Sequence, residues 1–162
     1  MVASFEDFYV ELHPRLIAAL AATCGDLDLA RDAADEAAAR ALERWDRVEA
    51  MANPQGWVYR VAINQVRRKA RRRDLERRVL RREHPPEPVP GPAGEVWHLV
   101  EGLSRRQREA VVLRHVLMLR EPEIGRVMGV TRGTVSSTLR AAYARLRSDL
   151  EDHEEMSDAP RR

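Results

Sequence analysis

The residues best suited to chemistry lie between positions 131 and 140, where small hydroxyl side chains are interspersed with arginines. They are Thr131, Arg132, Thr134, Ser136, Ser137 and Arg140. These donor-rich groups with little bulk suit hydrogen bonds to phosphate oxygens and to base edges in the DNA major groove. The sequence around them has the spacing of a helix-turn-helix, whose leading use is to insert a helix into that groove.

The helix that would enter the groove begins at about position 131 and is called the reading helix. Two predicted helices precede it and support it. Ser104 and Gln107 form the S-x-x-Q pattern of a capping box, which opens a helix that runs to about Val116. A short helix at 121–128 follows, and Gly129 stands where the turn requires a residue that tolerates positive φ.

The reading helix itself has a clear start and a clear buried side. Thr131 is its predicted N-cap, and the helix continues through Leu146. Val135, Leu139, Ala142 and Leu146 recur at the spacing of a helix face that packs on a core. The polar side chains of its first turns are therefore expected at the surface.

The segment 67–82 is a second candidate for binding a polyanion. It contains ten basic and two acidic residues, a net charge of +8, in a chain whose net charge is +2. A few cations stabilise a helix C-terminus, but ten exceed that need, and like charges one turn apart repel. Contact with nucleic acid would relieve the repulsion. Lys69 is the only lysine among the 28 basic residues. GC-rich codons would explain that bias toward arginine, but they do not explain the clustering.

Acidic residues share one side of a predicted helix that begins near Asp28 and reaches about Trp45. Asp28 and Asp32 lie near its N-terminus, where the helix dipole favours acids. Asp35 and Glu36 lie beyond that first turn. The pattern fits either a dipole effect or the docking of a basic protein partner.

Signatures of catalysis and of membrane insertion are absent from the sequence. The five histidines are scattered without metal-ligand spacing, and the chain has one cysteine, Cys24, and no phosphate-binding glycine loop. We therefore expect no enzyme activity and no cofactor. The acidic N-terminus lacks the features of a signal peptide, and no apolar run approaches about 20 residues, so a cytoplasmic protein is predicted.

The remaining signals predict an all-α protein of two small domains. Phe5, Phe8, Tyr9 and Leu12 mark one face of a first helix, which Pro14 is expected to kink or break. Asn53-Pro54 opens a long helix that carries Trp57 and Tyr59. These two aromatic residues cannot share a helix face. Either one is buried and the other available to stack on a base, or both are buried against different neighbours.

Proline and glycine mark the boundary between the two domains. The predicted organisation is a helical domain at 1–82, a proline-rich linker at 83–94, a helix-turn-helix domain at 95–150 and an acidic, disordered tail at 151–162.

In this order and spacing, the segments resemble bacterial RNA polymerase sigma factors of the extracytoplasmic-function class, especially short two-domain actinobacterial ones. The resemblance rests on FEDFYVELHPRLIAAL, DLARDAADEAAARALERW and NPQGWVYRVAINQVRRKARRR in the first domain, and on LSRRQREAVVLRHV and EIGRVMGVTRGTVSS in the second. It covers most of the chain.

The resemblance implies three functional surfaces. Asp32, Asp35, Glu36 and Arg40 match the family's surface for the clamp helices of the largest polymerase subunit. Trp57, Arg60, Asn64, Arg67, Arg68 and Arg71 match the helix that melts and reads the −10 element. The reading helix would recognise the −35 element. Core polymerase (clamp helices and flap), promoter DNA and, in many members of the class, an anti-sigma factor are the implied partners.

Departures from the family pattern lead to further expectations. Ala38 stands where relatives carry an aromatic residue, Arg120 where a serine cap is usual, and Gly125 where alanine is usual. By propensity, each of the last two changes costs roughly 1 kcal/mol. The reading helix has lost charge, so we expect weak autonomous DNA binding that depends on the polymerase. A sigma-like regulator that does not initiate, and a helical adaptor for RNA or an acidic protein, are the alternatives.

Overall fold

The computed structural model describes residues 4–80 and 97–157. These ranges contain helices and no strand, which confirms the predicted all-α class. The helices are α1 (Phe5–Cys24), α2 (Leu27–Leu42), α3 (Trp45–Glu49), α4 (Pro54–Leu80), α5 (Arg105–His115), α6 (Glu121–Met128) and α7 (Arg132–Ser157), with one further helical turn at 97–100. The predicted linker at 83–94 and the last part of the predicted tail, 158–162, lie outside the described residues.

The N-terminal domain is a bundle of α1, α2 and α4 built on small side chains. The Asp26 carboxylate caps α2 by accepting the Leu29 N–H at 2.8 Å. Helix α2 then buries a row of alanines completely, namely Ala30, Ala33, Ala34, Ala37 and Ala41. Because alanine has no side chain beyond Cβ, α1 and α4 pack closely against α2. This close packing fixes the side of α4 that faces solvent.

Helix α1 passes through Pro14 without a break, which corrects one alternative of the sequence prediction. Proline lacks the N–H that would bond the carbonyl four residues earlier, here that of Val10. Both Pro14 and Val10 are exposed, so water can bind the carbonyl that the helix leaves free.

The second helix ends earlier than predicted. Helix α2 stops at Leu42 rather than near Trp45, and the short α3 begins at Trp45. The Trp45 ring packs on α1, with ring centroids 5.4 Å from Phe5 and 4.9 Å from Phe8. Glu43 and Arg44 form the turn between α2 and α3, so Trp45 makes these contacts from the first residue of α3. A narrow cleft lined by Phe8, Leu12 and other apolar groups lies beside Ala38.

The C-terminal domain has the predicted helix-turn-helix. The Ser104–Gln107 capping box is present at the start of α5. Gly129 ends α6 with φ 70°, and the Thr131 side chain accepts the Thr134 N–H at 3.2 Å to begin α7. Val135, Leu139 and Ala142 are buried as predicted, whereas Leu146 is half-buried at the edge of the core.

Helix α7 is longer than predicted. It continues to Ser157, so residues 151–157 are helical where the sequence was expected to be a disordered tail. Arg145 and Asp149 form an ion pair one turn apart, at 3.1 Å, and such pairs support an exposed helix. The glutamates that follow are also good helix formers.

The two domains pack against each other, and their buried apolar residues form one continuous core. The Trp97 ring covers Gly25 so closely that a Cβ there would lie 2.8 Å from it. The Arg108 guanidinium lies 4.6 Å from the Trp97 ring centre and donates to the Thr23 carbonyl at 3.3 Å. Arg15 donates to the Val116 carbonyl at 3.1 Å. Polar and apolar contacts therefore both cross the boundary between the domains.

Candidate nucleic-acid interface

The start of α7 presents the predicted reading surface to solvent. Thr131, Arg132, Thr134, Ser137 and Arg140 are exposed, and Ser136 is half-buried. The Thr131 and Thr134 hydroxyls lie 2.9 Å apart, and Ser137 donates to the Thr134 carbonyl at 3.0 Å. These local bonds fix the orientation of the hydroxyls. The surface is thus a preorganised row of small polar groups, with a guanidinium in the first turn and another at Arg140.

The predicted −10 residues lie along α4, but they do not all face solvent. Arg60, Asn64, Arg68 and Arg71 are exposed, and their spacing places them along one side of the helix. Arg67 is half-buried and points toward the C-terminal domain, where it meets Glu109. Only part of the predicted basic surface is therefore open to a polyanion in this arrangement.

The two neighbouring aromatic residues of α4 have different surroundings. Tyr59 is fully buried, its hydroxyl lies 3.4 Å from that of Thr23, and burial raises its pKa, so the phenol stays neutral. Trp57 is half-buried and lines an open cleft with Arg60 of α4 and with Arg126 of α6. Tyr59 therefore belongs to the core, and Trp57 is the aromatic side chain with a face near solvent.

The acidic face of α2 (Asp32, Asp35 and Glu36) is bound to its surroundings by ion pairs. His13 Nε2 lies 2.7 Å from Asp35 Oδ1, and Lys69 Nζ of α4 lies 3.4 Å from Asp32 Oδ2. Glu36 accepts a hydrogen bond from Arg40 at 2.7 Å. All three acids remain at least partly accessible.

A buried amide joins this acidic face to the basic helix. Gln65 of α4 is 2% exposed. Its amide nitrogen donates to Glu36, and its amide oxygen accepts from Arg68. The structure therefore connects the predicted polymerase-binding surface with the predicted DNA-binding surface through one side chain, which the sequence patterns did not single out.

Glu109 is a second residue that sequence reasoning missed. It lies on α5 with 6% of its side chain exposed, and both of its carboxylate oxygens accept from Arg67 Nη2, at 2.9 and 2.8 Å. Burial raises the pKa of Glu109, whereas Arg67 acts in the opposite direction. A signal was present, because a glutamate one turn before the buried Val112 and Leu113 must share their side of the helix.

No group of metal ligands occurs in the parts of the chain that the structure describes. The Cys24 thiol donates to the Asp26 carbonyl at 3.4 Å, and burial raises its pKa to about 11, so it is a protonated thiol at neutral pH. Across 4–80 and 97–157, no helix has the length and apolar character needed to span a bilayer.

Known families match both domains. Sigma-70 region 2 matches residues 8–76, and Sigma-70 region 4 matches residues 93–146. The chain is 30% identical over 155 residues to the RNA polymerase sigma-E factor of Streptomyces coelicolor, covering 92% of this chain and 87% of the relative. It is 32% identical over 133 residues to the sigma-E factor of Streptomyces antibioticus, covering 75% and 71% of the two chains.

Solved structures show the same fold. The sigma factor RpoE in complex with the anti-sigma factor NepR, from Bartonella quintana, superposes with a TM-score of 0.74 at 21% identity, over 91% of this chain and 96% of that one. CnrH in complex with the cytosolic domain of CnrY superposes with a TM-score of 0.64 at 19% identity, over 91% and 88%. Both superpositions extend over most of the described chain. The protein therefore belongs to the sigma-70 family, as a sigma factor of the extracytoplasmic-function type that directs transcription initiation.

Proposed function

We propose that this sigma factor binds core RNA polymerase through the acidic face of α2 and recognises a promoter with α4 and α7. The observation that carries the proposal is the separation of charge within one domain. Acids lie on the exposed side of α2, and arginines lie along the exposed side of α4. A basic protein surface and a polyanion can thus bind the N-terminal domain at the same time.

Each surface has a role in this proposal. Asp32, Asp35, Glu36 and Arg40 would contact the clamp helices of the largest polymerase subunit, and the C-terminal domain would contact the flap. Arg60, Asn64, Arg68 and Arg71 would bind the −10 region, with Trp57 near the unstacked bases. The first turns of α7 would enter the major groove of the −35 element. The protein would act in the cytoplasm by directing the polymerase, and would catalyse nothing itself.

An anti-sigma factor is a further proposed partner. The support is the likeness to the sigma factor RpoE, whose structure was solved with the anti-sigma factor NepR bound. Such a partner would have to compete for the same surfaces that polymerase and DNA use.

Run-off transcription tests the proposal. Core polymerase from Streptomyces coelicolor would be supplied with a pool of actinobacterial promoter fragments, with and without the protein. New transcripts whose start sites share upstream sequences are the expected result. Binding to polymerase with no new transcript from the whole pool would favour a sigma-like regulator that does not initiate.

A charge-reversed variant provides the control within that assay. Arg60→Glu places a carboxylate on the exposed side of α4, where we expect DNA. Arg47→Glu makes the same change at an exposed position on α3, a helix that carries none of the proposed contacts. Loss of transcripts with the first variant and their retention with the second would support the assignment of α4.

A further inference from the structure

We infer that the Arg67–Glu109 ion pair holds the two domains in a closed state that withholds Arg67 from DNA and keeps the two promoter-reading surfaces too close together for use. The closed state is argued from the contacts between the two domains. The withholding of Arg67 from DNA rests also on the proposed function.

The separation of the two surfaces is the first step. The nominal positions −10 and −35 differ by about 25 base pairs, or about 85 Å along a duplex at about 3.4 Å per base pair. Here α4 and α6 are in direct contact, because a Cβ on Gly56 would lie 2.9 Å from the Val127 side chain. Trp57 follows Gly56 directly, and Thr131 is four residues beyond Val127. At about 3.8 Å per residue, the Cα atoms of Trp57 and Thr131 therefore lie at most about 26 Å apart. This arrangement cannot contact both elements, and the domains must separate to do so.

The chain between the domains is long enough for that separation. Leu80 and Trp97 are joined by residues 81–96. A fully extended chain of that length spans up to about 55 Å, to which the widths of the two domains are added. Opening therefore requires the loss of contacts at the interface and no unfolding of either domain.

Arg67 has a proposed partner in the closed state, which is Glu109, and another in the DNA-bound state, which is a phosphate. In the closed state its Nη2 binds both oxygens of Glu109, and its Nε has no hydrogen-bond partner within the described residues. Arg67 lies three positions after Asn64 on α4, the helix that carries the other predicted −10 contacts. A DNA phosphate could satisfy the whole guanidinium, whereas Glu109 satisfies only part of it.

Glu109 makes the closure depend on charge. Its side chain is 6% exposed, so without Arg67 it would be a carboxylate buried between the domains. Arg105 and Arg106 also act on it electrostatically, but they lie at the exposed start of α5 and make no hydrogen bond to it in the described chain. Removal of Arg67 to DNA therefore leaves Glu109 without its cation and weakens the interface, and closure of the interface removes Arg67 from DNA.

Charge reversal tests the pair directly in the full chain. Glu109→Arg and Arg67→Glu each place like charges together, and the double variant restores the pair in the opposite sense. Spin labels on cysteines at the exposed positions Ala39 and Ala144, in a Cys24→Ala background, report the distance between the domains by electron–electron resonance. We expect one short distance in the parent, longer and broader distributions in both single variants, and the short distance again in the double variant.

Each outcome has a defined meaning. Unchanged distances in the single variants, or a double variant that stays open, would overturn the inference. Far-UV circular dichroism checks that the helices persist. If a reversed variant does not fold, Arg67→Gln leaves Glu109 buried without its cation, and the same lengthening is expected.

DNA binding distinguishes the inference from the proposed function. Glu109→Arg is compared with Glu151→Arg, which makes the same change of charge at an exposed site on α7. If most molecules are closed, we expect roughly tenfold tighter binding of a mixed-sequence duplex by Glu109→Arg, because apparent affinity scales with the open fraction. Equal affinities with open domains would overturn the withholding of Arg67. Domains that open while neither variant binds DNA would count against the proposed function instead.

Discussion

Gly125 lies against the backbone of Val130 at a distance that leaves no room for a side chain. A Cβ at Gly125 would be 2.8 Å from the Val130 carbonyl oxygen, and the Val130 N–H donates to the Gly125 carbonyl at 2.9 Å. The turn between α6 and α7 therefore closes directly onto this glycine. By helix propensity alone, glycine at this position is about 1 kcal/mol less stable than alanine. That comparison leaves out the close contact with the Val130 carbonyl, which only glycine allows.

We expect Gly125→Ala to lower the free energy of unfolding by about 1–3 kcal/mol, because the clash with Val130 exceeds the gain in helix propensity. Gly133→Ala is the matched control, since its nearest neighbour would be the Thr131 hydroxyl at 3.8 Å. That variant should be neutral or slightly more stable. Thermal unfolding of the full chain measures both. A higher melting temperature for Gly125→Ala would show that the turn can relax.

Signals confined to a few residues predicted the fold well. The capping box at Ser104, the left-handed Gly129 and the Thr131 cap define the helix-turn-helix, and each depends on local backbone geometry. The end of α2 was misplaced because Trp45 turns toward α1, which is a tertiary contact. Local patterns cannot report such a contact.

The candidate interface was only partly predictable for the same reason. The spacing of Arg60, Asn64 and Arg68 on one helix placed them together without any knowledge of the fold. Glu109, the partner of Arg67, and Glu36, one of the two partners of Gln65, lie on other helices, 42 and 29 residues away in sequence. Their environments follow from the way the helices pack.

The acidic face of α2 leads to a prediction about polymerase binding. Glu36→Arg places a cation where we propose a basic surface docks, so affinity for core polymerase should fall at least about tenfold, or about 1.4 kcal/mol. Glu151→Arg makes the same change of charge at an exposed site on α7, away from α2, and should bind nearly as the parent does. Fluorescence anisotropy of the labelled protein, titrated with core polymerase, measures both. Equal losses in the two variants would indicate general charge attraction rather than a docking face.

The reading helix leads to a prediction about salt. Arg140→Ala should weaken the complex of holoenzyme with promoter DNA several-fold. If Arg140 contacts a phosphate, the slope of log affinity against log salt concentration should fall by about 0.9. Arg147→Ala removes the same charge from an exposed site two turns further along α7 and should leave the slope unchanged. If instead both variants behave alike, the first turns of α7 do not touch the DNA backbone at Arg140.

Cys24 leads to a prediction about pH. Burial, and secondarily the nearby Asp26 carboxylate, raise the pKa of the thiol to about 11 from 9.0, although a backbone hydrogen bond acts in the opposite direction. The thiolate fraction at pH 8 is therefore about 100-fold lower in the folded protein than in the unfolded chain, and alkylation by iodoacetamide should be slower by at least that factor.

The same shift of the Cys24 pKa has a consequence for stability. The folded state favours the protonated thiol, so its contribution is complete below pH 9 and is lost as the pH rises toward about 11. Cys24→Ala should remove this part of the loss of stability at alkaline pH, as measured by chemical unfolding at pH 8 and pH 10.

For the alkylation experiment, the reference rate is that of the chain unfolded in guanidinium. Equal rates in the folded and unfolded chains at pH 8 would mean that the end of α1 opens readily, and with it the contact of Trp97 with Gly25.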